Sequence, residues 1–554
     1  MESRSSDAGS VAQQARASEQ DSHLKKSLGF WSLTATGIGS VIGSGWLLAA
    51  NAAANFAGPA AIISWLIGGG LMLLIALVFA ELGMVRPESG GLVRYPLYTN
   101  GRLAASVVGW AMWLSYVGNP PSEASAVVQY ASTWWGAVYD SDAHKLTPLG
   151  IAVAIGLMAL FVVINILGVE AFARANNALT SVKVIIPTLT VILLLISGFD
   201  HTSKAGGLHD NIAATGFAPY GYSAALGAIA AGGLIFSYTG FRNIIELSGE
   251  ARNPRRDIPR AMIVTIVFAV VLYLGLQFAF LGAVPGADAA KGWHLVNFDS
   301  PFADLAKLLG MMWLYWLLIA DSSISPSGSG IVYTAANSRN VFGLAKNGFF
   351  PSAVMKVDPR RGVPIVALLL NFVIGIAFLL PLPSWQQIVQ VMSAMAALTF
   401  SIGSVSVMVF RRVGYGHEDD HLRGMSLIAP AAFAISSLVI FWEEWDPLYK
   451  TIPIVAVGVV WYAVTLVRAH HRDLRDLWGG LWLVVYLVFV YGLSALSSFK
   501  GTGTIPAPWD SILVAAGSLV IYAWAVRAGT TFLRDHDEML EVLDHPKDAV
   551  PSTA

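Results

Sequence analysis

Apolar stretches recur along most of the chain, and short polar segments separate them. Windows of about 20 mostly apolar residues are typical of helices that cross a membrane, and fourteen such windows can be placed. Their approximate centres are Ser40, Met72, Val117, Leu157, Thr188, Ile235, Val271, Leu318, Val373, Ala397, Ile435, Val457, Val485 and Leu519. The pattern predicts an all-α integral membrane protein with fourteen spans.

The positive charges predict the orientation of these spans. With the N-terminus in the cytoplasm, Lys183 lies within span 5 and the outer loops contain only six of the 34 basic residues. These six are Lys145, Lys204, Lys291, Lys307, Lys450 and Lys500. Because cytoplasmic loops are enriched in Lys and Arg, the distribution predicts a multi-pass protein of the inner (plasma) membrane with both termini in the cytoplasm.

The two ends of the chain are polar. Residues 1–23 are rich in Ser, Ala and Gln and lack the apolar core of a cleavable signal peptide. We expect them to form a disordered cytoplasmic tail. Residues 529–554 are mixed in charge, and we expect a second cytoplasmic tail there.

Composition excludes several kinds of chemistry. The chain is 55% hydrophobic and 12% charged and has a net charge of −1, with a mean hydropathy of +0.61. It contains no cysteine, which excludes disulfides, thiolate catalysis and Cys-ligated metals. No basic run suggests nucleic-acid binding, and no nucleophile with a base or H-E-x-x-H metal motif is present. We therefore expect neither an enzyme nor a bound cofactor or metal.

A glycine-rich stretch interrupts the first span. Residues 37–45 read Gly-Ile-Gly-Ser-Val-Ile-Gly-Ser-Gly, with four glycines in nine positions. Glycine destabilises a helix interior, and backbone groups freed inside a membrane must line a cavity. A helix broken here would direct the N–H groups near Ser44 and Gly45 into that cavity, where their partial positive charge suits a carboxylate. Close packing of helices through small residues is the alternative explanation.

Several motifs resemble those of the amino acid–polyamine–organocation (APC) superfamily of amino-acid permeases. The glycine-rich stretch of span 1 is followed, at 80–95, by A-E-L-G-M-V-R-P-E-S-G-G-L-V-R-Y at the end of span 2. Further matching segments are 165–170 with Asn177 and Lys183, then 236–241, 249–254, 338–339 and 345–351. The resemblance covers residues 24–412.

The resemblance implies a specific architecture. Residues 24–412 would form a leucine-transporter-type core of ten helices, in which spans 1–5 and 6–10 are an inverted repeat. The first span of each repeat would be unwound at the membrane midplane. Residues 413–528 would add four further transmembrane helices.

The resemblance also implies a substrate site between spans 1 and 6. An amino-acid carboxylate would meet main-chain N–H groups and a hydroxyl at Val41, Ser44 and Gly45. The ammonium group would meet carbonyl groups of the unwound part of span 6, at Phe236, Ser237 and Thr239. Phe236 would also serve as an aromatic lid over the occupied site, or, alternatively, as ordinary packing.

Lys183 is expected to couple transport to protons. An ammonium group inside a span is costly and generally faces the protein interior. The resemblance places Lys183 where sodium-coupled relatives bind a cation between spans 1, 5 and 8, so that a lysine releasing a proton would replace the ion. Its expected neighbours are main-chain carbonyls of span 1 near Gly37 and hydroxyls of span 8 near Ser325 and Ser329. The alternative is a lysine that extends to the cytoplasmic surface.

Three other charges lie within the predicted spans. Glu123 in span 3 and Asp321 in span 8 are alternative proton carriers, or else structural partners of the backbone near the prolines. Arg242 in span 6 offers a bidentate fork for carboxylates. It would select an acidic amino acid, close an inner gate against Glu246, or anchor the span at the cytoplasmic surface.

These residues predict a secondary transporter that takes up an amino acid together with protons by alternating access. Arg242 favours aspartate or glutamate as substrate. The alternatives are an amino-acid exchanger, a permease for cationic or neutral amino acids or amines, and a non-transporting nutrient receptor. A channel is disfavoured because no re-entrant filter is visible.

Overall fold

The computed structural model of the chain describes residues 28–88, 90–167, 169–199, 204–358, 361, 363–469 and 474–536. Within these ranges the side chains of 169–179, 199, 352, 465–469 and 474–476 are not described. The expected N-terminal tail, most of the expected C-terminal tail, and the side chain of Asn177 therefore lie outside the described part of the chain.

The described residues are mostly helical. Their α-helices are α1 (Phe30–Val41), α2 (Ser44–Ala57), α3 (Ala61–Val85), α4 (Gly91–Val117), α5 (Asn119–Ala131), α6 (Pro148–Leu167), α7 (Val169–Phe199), α8 (Leu208–Thr215), α9 (Gly221–Ala231), α10 (Leu234–Tyr238), α11 (Arg242–Glu246), α12 (Pro254–Ala283), α13 (Gly286–Ala289), α14 (Pro301–Leu308), α15 (Met312–Lys346), α16 (Ile365–Leu379), α17 (Trp385–Val413), α18 (Met425–Trp442), α19 (Trp445–Ala469), α20 (Leu474–Leu496) and α21 (Trp509–Arg534). A short antiparallel pair, β1 (Tyr139–Asp140) and β2 (Lys145–Leu146), follows α5.

Many of these helices are suited to a bilayer. Nine helical segments in the described ranges are long and apolar enough to cross a membrane. The number becomes ten if α9 and the 234–246 segment, which meet at a 50° bend, count as one span. Each of the fourteen centres taken from the apolar pattern lies within a helix. The prediction of a multi-pass membrane protein is therefore confirmed.

Two helix breaks shape the centre of the bundle. The first lies at Ile42 and Gly43, between α1 and α2, where Gly43 has φ −122° and ψ −142°. The second lies at Gly232 and Gly233, between α9 and α10, where Gly233 has φ 81°, a left-handed conformation that favours glycine. Both breaks fall in the spans for which interruption was expected.

The segment after the second break differs from the expectation. Phe236 and Ser237 lie in the short helix α10, and Thr239 begins a 3₁₀ turn over Thr239–Phe241. The break precedes them because two consecutive glycines, Gly232 and Gly233, supply the flexible backbone. The expectation that these three residues are themselves unwound is therefore wrong for Phe236 and Ser237.

The four C-terminal helices pack on α4 and α17. Polar contacts hold them there. The buried Asn100 amide of α4 donates to the carbonyls of Gly479 on α20 (3.3 Å) and Ala525 on α21 (3.4 Å). Trp110 Nε1 of α4 donates to the carbonyl of Ile454 on α19 at 2.8 Å. Hydrogen bonds thus join three of the four C-terminal helices to α4.

Candidate functional site

The break in span 1 exposes the N-terminal end of α2, and two side chains meet it. The backbone N–H of Ser44 donates to Glu123 Oε2 of α5 at 2.7 Å. The Ser44 hydroxyl accepts a hydrogen bond from Trp385 Nε1 of α17 at 2.8 Å. The first N–H groups of a helix have no partner within the helix and carry partial positive charge. The end of α2 is thus a site for an anionic group, and the Glu123 carboxylate lies in it.

The opposite side of the break exposes the last carbonyl groups of α1. Lys183 Nζ donates to the Gly39 carbonyl at 2.9 Å. Ser329 Oγ donates to the Ile42 carbonyl at 3.1 Å, and the Tyr273 hydroxyl donates to the Val41 carbonyl at 2.8 Å. A cation is favourable at a helix C-terminus. The broken span is therefore stabilised by a lysine at one half-helix and a carboxylate at the other.

Lys183 itself is fully buried, at 0% exposure. Besides the Gly39 carbonyl, it donates to Ser329 Oγ of α15 at 2.8 Å. The expected contacts with a carbonyl of span 1 near Gly37 and with the Ser329 hydroxyl are present, whereas Ser325 bonds to another residue. A Cβ at Gly37 would meet Thr265 of α12. The carbonyl that Lys183 contacts is therefore the one two residues beyond Gly37.

Asp321 lies to one side of the group formed by Lys183, Ser329 and the Gly39 carbonyl. Its Oδ1 accepts a hydrogen bond from Ser325 Oγ at 2.9 Å. Its Oδ2 is buried and has no hydrogen-bond partner among the described residues. The Ser325 hydroxyl therefore donates its hydrogen bond to Asp321 and does not contact Lys183.

Span 6 packs directly against the break in span 1. A Cβ at Gly240 would lie 2.6 Å from the Ser40 carbonyl carbon and 2.8 Å from Val41 Cα, so only glycine fits. A Cβ at Gly45 would lie 3.2 Å from Ser237 Cβ. The structure thus brings the expected residues of spans 1 and 6 together.

The carbonyl groups near Phe236 differ from the expectation for an ammonium site. The Phe236 carbonyl accepts a hydrogen bond from Thr239 Oγ1 at 2.7 Å. Ser237 Oγ donates to the Gly233 carbonyl at 3.0 Å. The short helix therefore satisfies part of the backbone that was expected to be open.

Trp385 was not found by sequence reasoning. Its indole packs edge-on against Phe236, with ring centroids 6.1 Å apart. It also lines a cavity of about 240 Å³ together with Asn51, Gln129, Asp299 and Gln386, which lies on the outer side if the N-terminus is cytoplasmic as expected. Because Trp385 contacts both this cavity and the Ser44 hydroxyl, it lies between them. In the sequence, a tryptophan at the start of a span is typical of an interfacial belt, and so gave no signal for the site.

Arg242 is buried at the start of α11, at 1% exposure. Its Nη1 donates to Ser115 Oγ of α4 at 2.9 Å, and its Nε donates to the Thr239 carbonyl at 3.3 Å. The guanidinium carbon lies 4.6 Å from the centroid of the Tyr116 ring. Arg242 is therefore inside the bundle and next to Thr239, one of the expected substrate contacts.

A charged cluster lies at the other end of α4. Arg94 Nη1 and Glu88 Oε2 are 3.1 Å apart, and Arg86 Nε also contacts Glu88. Ser248 Oγ donates to the Glu88 carbonyl at 3.0 Å, which connects this cluster to the end of span 6. Among the residues that the structure describes, no three His, Asp or Glu side chains converge to hold a metal ion.

Comparison with known proteins shows the family to which the chain belongs. A family model described as amino acid permease matches residues 28–491. The glutamate/serine transporter AimA of Bacillus subtilis (strain 168) is 39% identical over 528 residues, which cover 93% of this chain and 96% of that protein. The aspartate-proton symporter of the same organism is 34% identical over 518 residues, with 92% and 97% covered. The branched-chain amino acid permease BcaP, also from B. subtilis, is 24% identical over 421 residues, with 72% and 83% covered. The chain belongs to the amino acid permease family.

Proposed function

We propose that this protein is a secondary transporter that imports amino acids with protons and prefers aspartate and glutamate. The observation that carries the proposal is the broken span 1, whose two half-helix ends face a buried lysine and a carboxylate. The N-terminal end of one half-helix favours an anionic group and the C-terminal end of the other favours a cation, so the break suits a zwitterionic substrate and a coupling ion. Two similar proteins, a glutamate/serine transporter and an aspartate-proton symporter, support both the substrate class and the proton.

The proposed architecture has fourteen spans with both termini in the cytoplasm. Spans 1–5 and 6–10 would form an inverted repeat of the leucine-transporter type, and the helices from α18 to α21 would be the four additional spans. The breaks at Gly43 and Gly233 support this repeat, because each lies in the first span of one half. Alternating access would then move one half of the core relative to the other.

The substrate carboxylate would bind at the end of α2, through the N–H groups of Ser44 and Gly45 and the Ser44 hydroxyl. Trp385 supports this role. An indole N–H only donates, so its bond to Ser44 Oγ leaves the hydroxyl proton available for an acceptor. Val41, Ser237 and Phe236 would complete the site, with Phe236 and Trp385 closing it towards the outer cavity.

Lys183 would couple transport to the proton. Its complete burial does not fit a lysine that extends to the cytoplasm. When it is charged, it bridges the Gly39 carbonyl of span 1 and Ser329 of span 8. A change in the charge of Lys183 would therefore alter the contact between spans 1 and 8. Alternating access requires such a change, because these spans must move relative to each other.

Arg242 would select acidic side chains. Its guanidinium carries a fixed positive charge, lies inside the bundle and bonds to the Thr239 carbonyl. A second carboxylate on the substrate would meet this charge, whereas serine or leucine would gain nothing from it. An inner gate formed with Glu246, one helical turn further along, is compatible with the same position.

The proposal is tested by uptake into proteoliposomes. Radiolabelled aspartate uptake is measured with an inward proton gradient, and a panel of unlabelled amino acids competes. We expect gradient-stimulated uptake and competition by glutamate, and we expect Arg242→Lys to lose more affinity for aspartate than for serine. Uptake that ignores the gradient but requires internal amino acid would establish an exchanger instead. Competition by lysine or leucine, with none by glutamate, would refute the acidic preference.

A further inference from the structure

The N-terminal end of α2 already holds a carboxylate, and this one belongs to the protein. Glu123 Oε2 accepts the Ser44 N–H at 2.7 Å, although the two residues are 79 positions apart in the chain. Both are buried, at 1% and 0% exposure. Gly43 makes the approach possible, because a Cβ there would overlap the carboxylate and lie 3.0 Å from Ser329 Oγ.

A substrate carboxylate cannot share this position with an ionised Glu123. Two carboxylates in contact at a buried site repel strongly, and one of them must be neutral. A hydrogen bond to a neutral acid is also weaker than one to a carboxylate. Protonation of Glu123 would therefore both remove the repulsion and weaken its hold on the Ser44 N–H.

Among the side chains that the structure describes, one cation lies close to Glu123 and the break. Lys183 lies behind Ser329, whose hydroxyl it bonds at 2.8 Å. The other ionisable groups that face this region are Asp321 and Tyr333 on α15, Tyr273 on α12, and Tyr116 on α4, which lies against Arg242. Tyr130, on α5 itself, donates to the Leu47 carbonyl. The helices α2, α6 and α16, which also pack on α5, contain no ionisable residue.

This arrangement conserves charge when the occupant changes. With Glu123 ionised, its negative charge accompanies the Lys183 cation across the break. When Glu123 takes up a proton from the medium, the substrate carboxylate supplies the missing negative charge at the same helix end. One proton bound and one anionic group bound leave the net charge beside Lys183 unchanged.

We propose that Glu123 is an internal occupant of the substrate-carboxylate site, and that an amino acid binds there only as Glu123 accepts a proton. This inference rests on the proposed function and deepens it, since it identifies why substrate binding needs a proton. Glu123 then carries the proton while the substrate is bound. Lys183 couples transport to that proton because its positive charge across the break keeps Glu123 ionised until the substrate arrives, so loss of the Lys183 charge leaves Glu123 neutral and substrate binding independent of the proton.

The first test is the pH dependence of binding. Binding of radiolabelled L-aspartate to the purified full-length protein is measured from about pH 6 to about pH 9, so that the range extends into alkaline solution, where a buried carboxyl group ionises. Uptake of one proton per substrate makes Kd rise by up to about tenfold per pH unit wherever Glu123 is ionised in the free protein. Glu123→Gln removes the competing charge, so its Kd is expected to be independent of pH and at least as low as that of the wild type at the alkaline end.

Asp321→Asn is the matched control. It also neutralises a buried carboxylate within a span, but Asp321 bonds Ser325 and not the end of α2. Its Kd should retain the pH dependence of the wild type. If Glu123→Gln retains that dependence too, or binds aspartate less tightly at every pH, Glu123 is a permanent cap of α2 and the inference is wrong.

A second measurement needs no variant of Glu123. Aspartate is added to the wild-type protein in weakly buffered solution at about pH 8, with a soluble pH indicator. The inference predicts uptake of protons from the solution on binding, and release or no change overturns it. If the wild type binds neither aspartate nor glutamate at any pH, the proposed function itself fails. If it binds and transports aspartate but the Kd does not vary with pH, only the inference about Glu123 fails.

Discussion

Replacement of Trp385 by phenylalanine tests how the Ser44 hydroxyl is positioned. Phenylalanine keeps an aromatic ring against Phe236 but removes the N–H that donates to Ser44 Oγ at 2.8 Å. Without this donor the hydroxyl can rotate, and its bond to a substrate carboxylate is no longer oriented. A neutral hydrogen bond contributes about 1 kcal/mol, which corresponds to about a fivefold change in affinity.

The assay is initial-rate uptake of aspartate into proteoliposomes at several substrate concentrations. We expect Trp385→Phe to raise KM about fivefold. The maximal rate should change little, because the Trp385 N–H orients the Ser44 hydroxyl equally in the initial complex and in the later steps of transport. Trp113→Phe is the matched control. It removes a buried indole N–H that donates to Asn371 Oδ1 at 2.7 Å, away from the helix breaks, and should leave KM unchanged. An unaltered KM in Trp385→Phe, or an equal rise in both variants, would show that the Trp385 N–H does not orient the Ser44 hydroxyl towards the substrate.

Two further substitutions test packing. Gly240→Ala should abolish uptake, because its Cβ would meet the backbone at Val41; Gly136→Ala, where a Cβ meets nothing within 4 Å, should transport normally at equal amounts in the membrane. Asn100→Leu removes the amide that donates to two C-terminal helices, and should lower the melting temperature of the purified protein by a few degrees, since each lost bond costs about 1 kcal/mol. Uptake per folded molecule should persist in Asn100→Leu, and an unchanged melting temperature would mean that apolar packing alone holds those helices.

Local patterns were enough to predict the helices and the break in span 1, whereas the break in span 6 was implied by the resemblance and was expected further along the chain. A run of apolar residues carries its own signal for a membrane span, and the glycines clustered around Gly43 weaken the helix where they stand. The exact register of span 6 was less predictable. Phe236 and Ser237 are helical because the preceding glycines already provide the break, which the residue types after it do not reveal.

Contacts between distant segments were harder to predict. Lys183 and Ser329 were paired correctly because a lone cation in a span needs polar partners, and the resemblance indicated where they lie. The Glu123–Ser44 and Trp385–Ser44 bonds depend on how α5 and α17 pack against the break. They join residues 79 and 341 positions apart. No periodicity or motif in either segment specifies such a meeting.

Substrate-driven proton entry tests most directly whether Lys183 couples aspartate uptake to protons. Proteoliposomes that contain a pH-sensitive dye, with no initial proton gradient, receive external aspartate. We expect acidification of the lumen by the wild type and by Lys291→Met, which alters an exposed lysine, but none by Lys183→Met, which should still exchange labelled aspartate. Acidification by Lys183→Met equal to the wild type, or aspartate accumulation by the wild type without any acidification, would contradict this coupling.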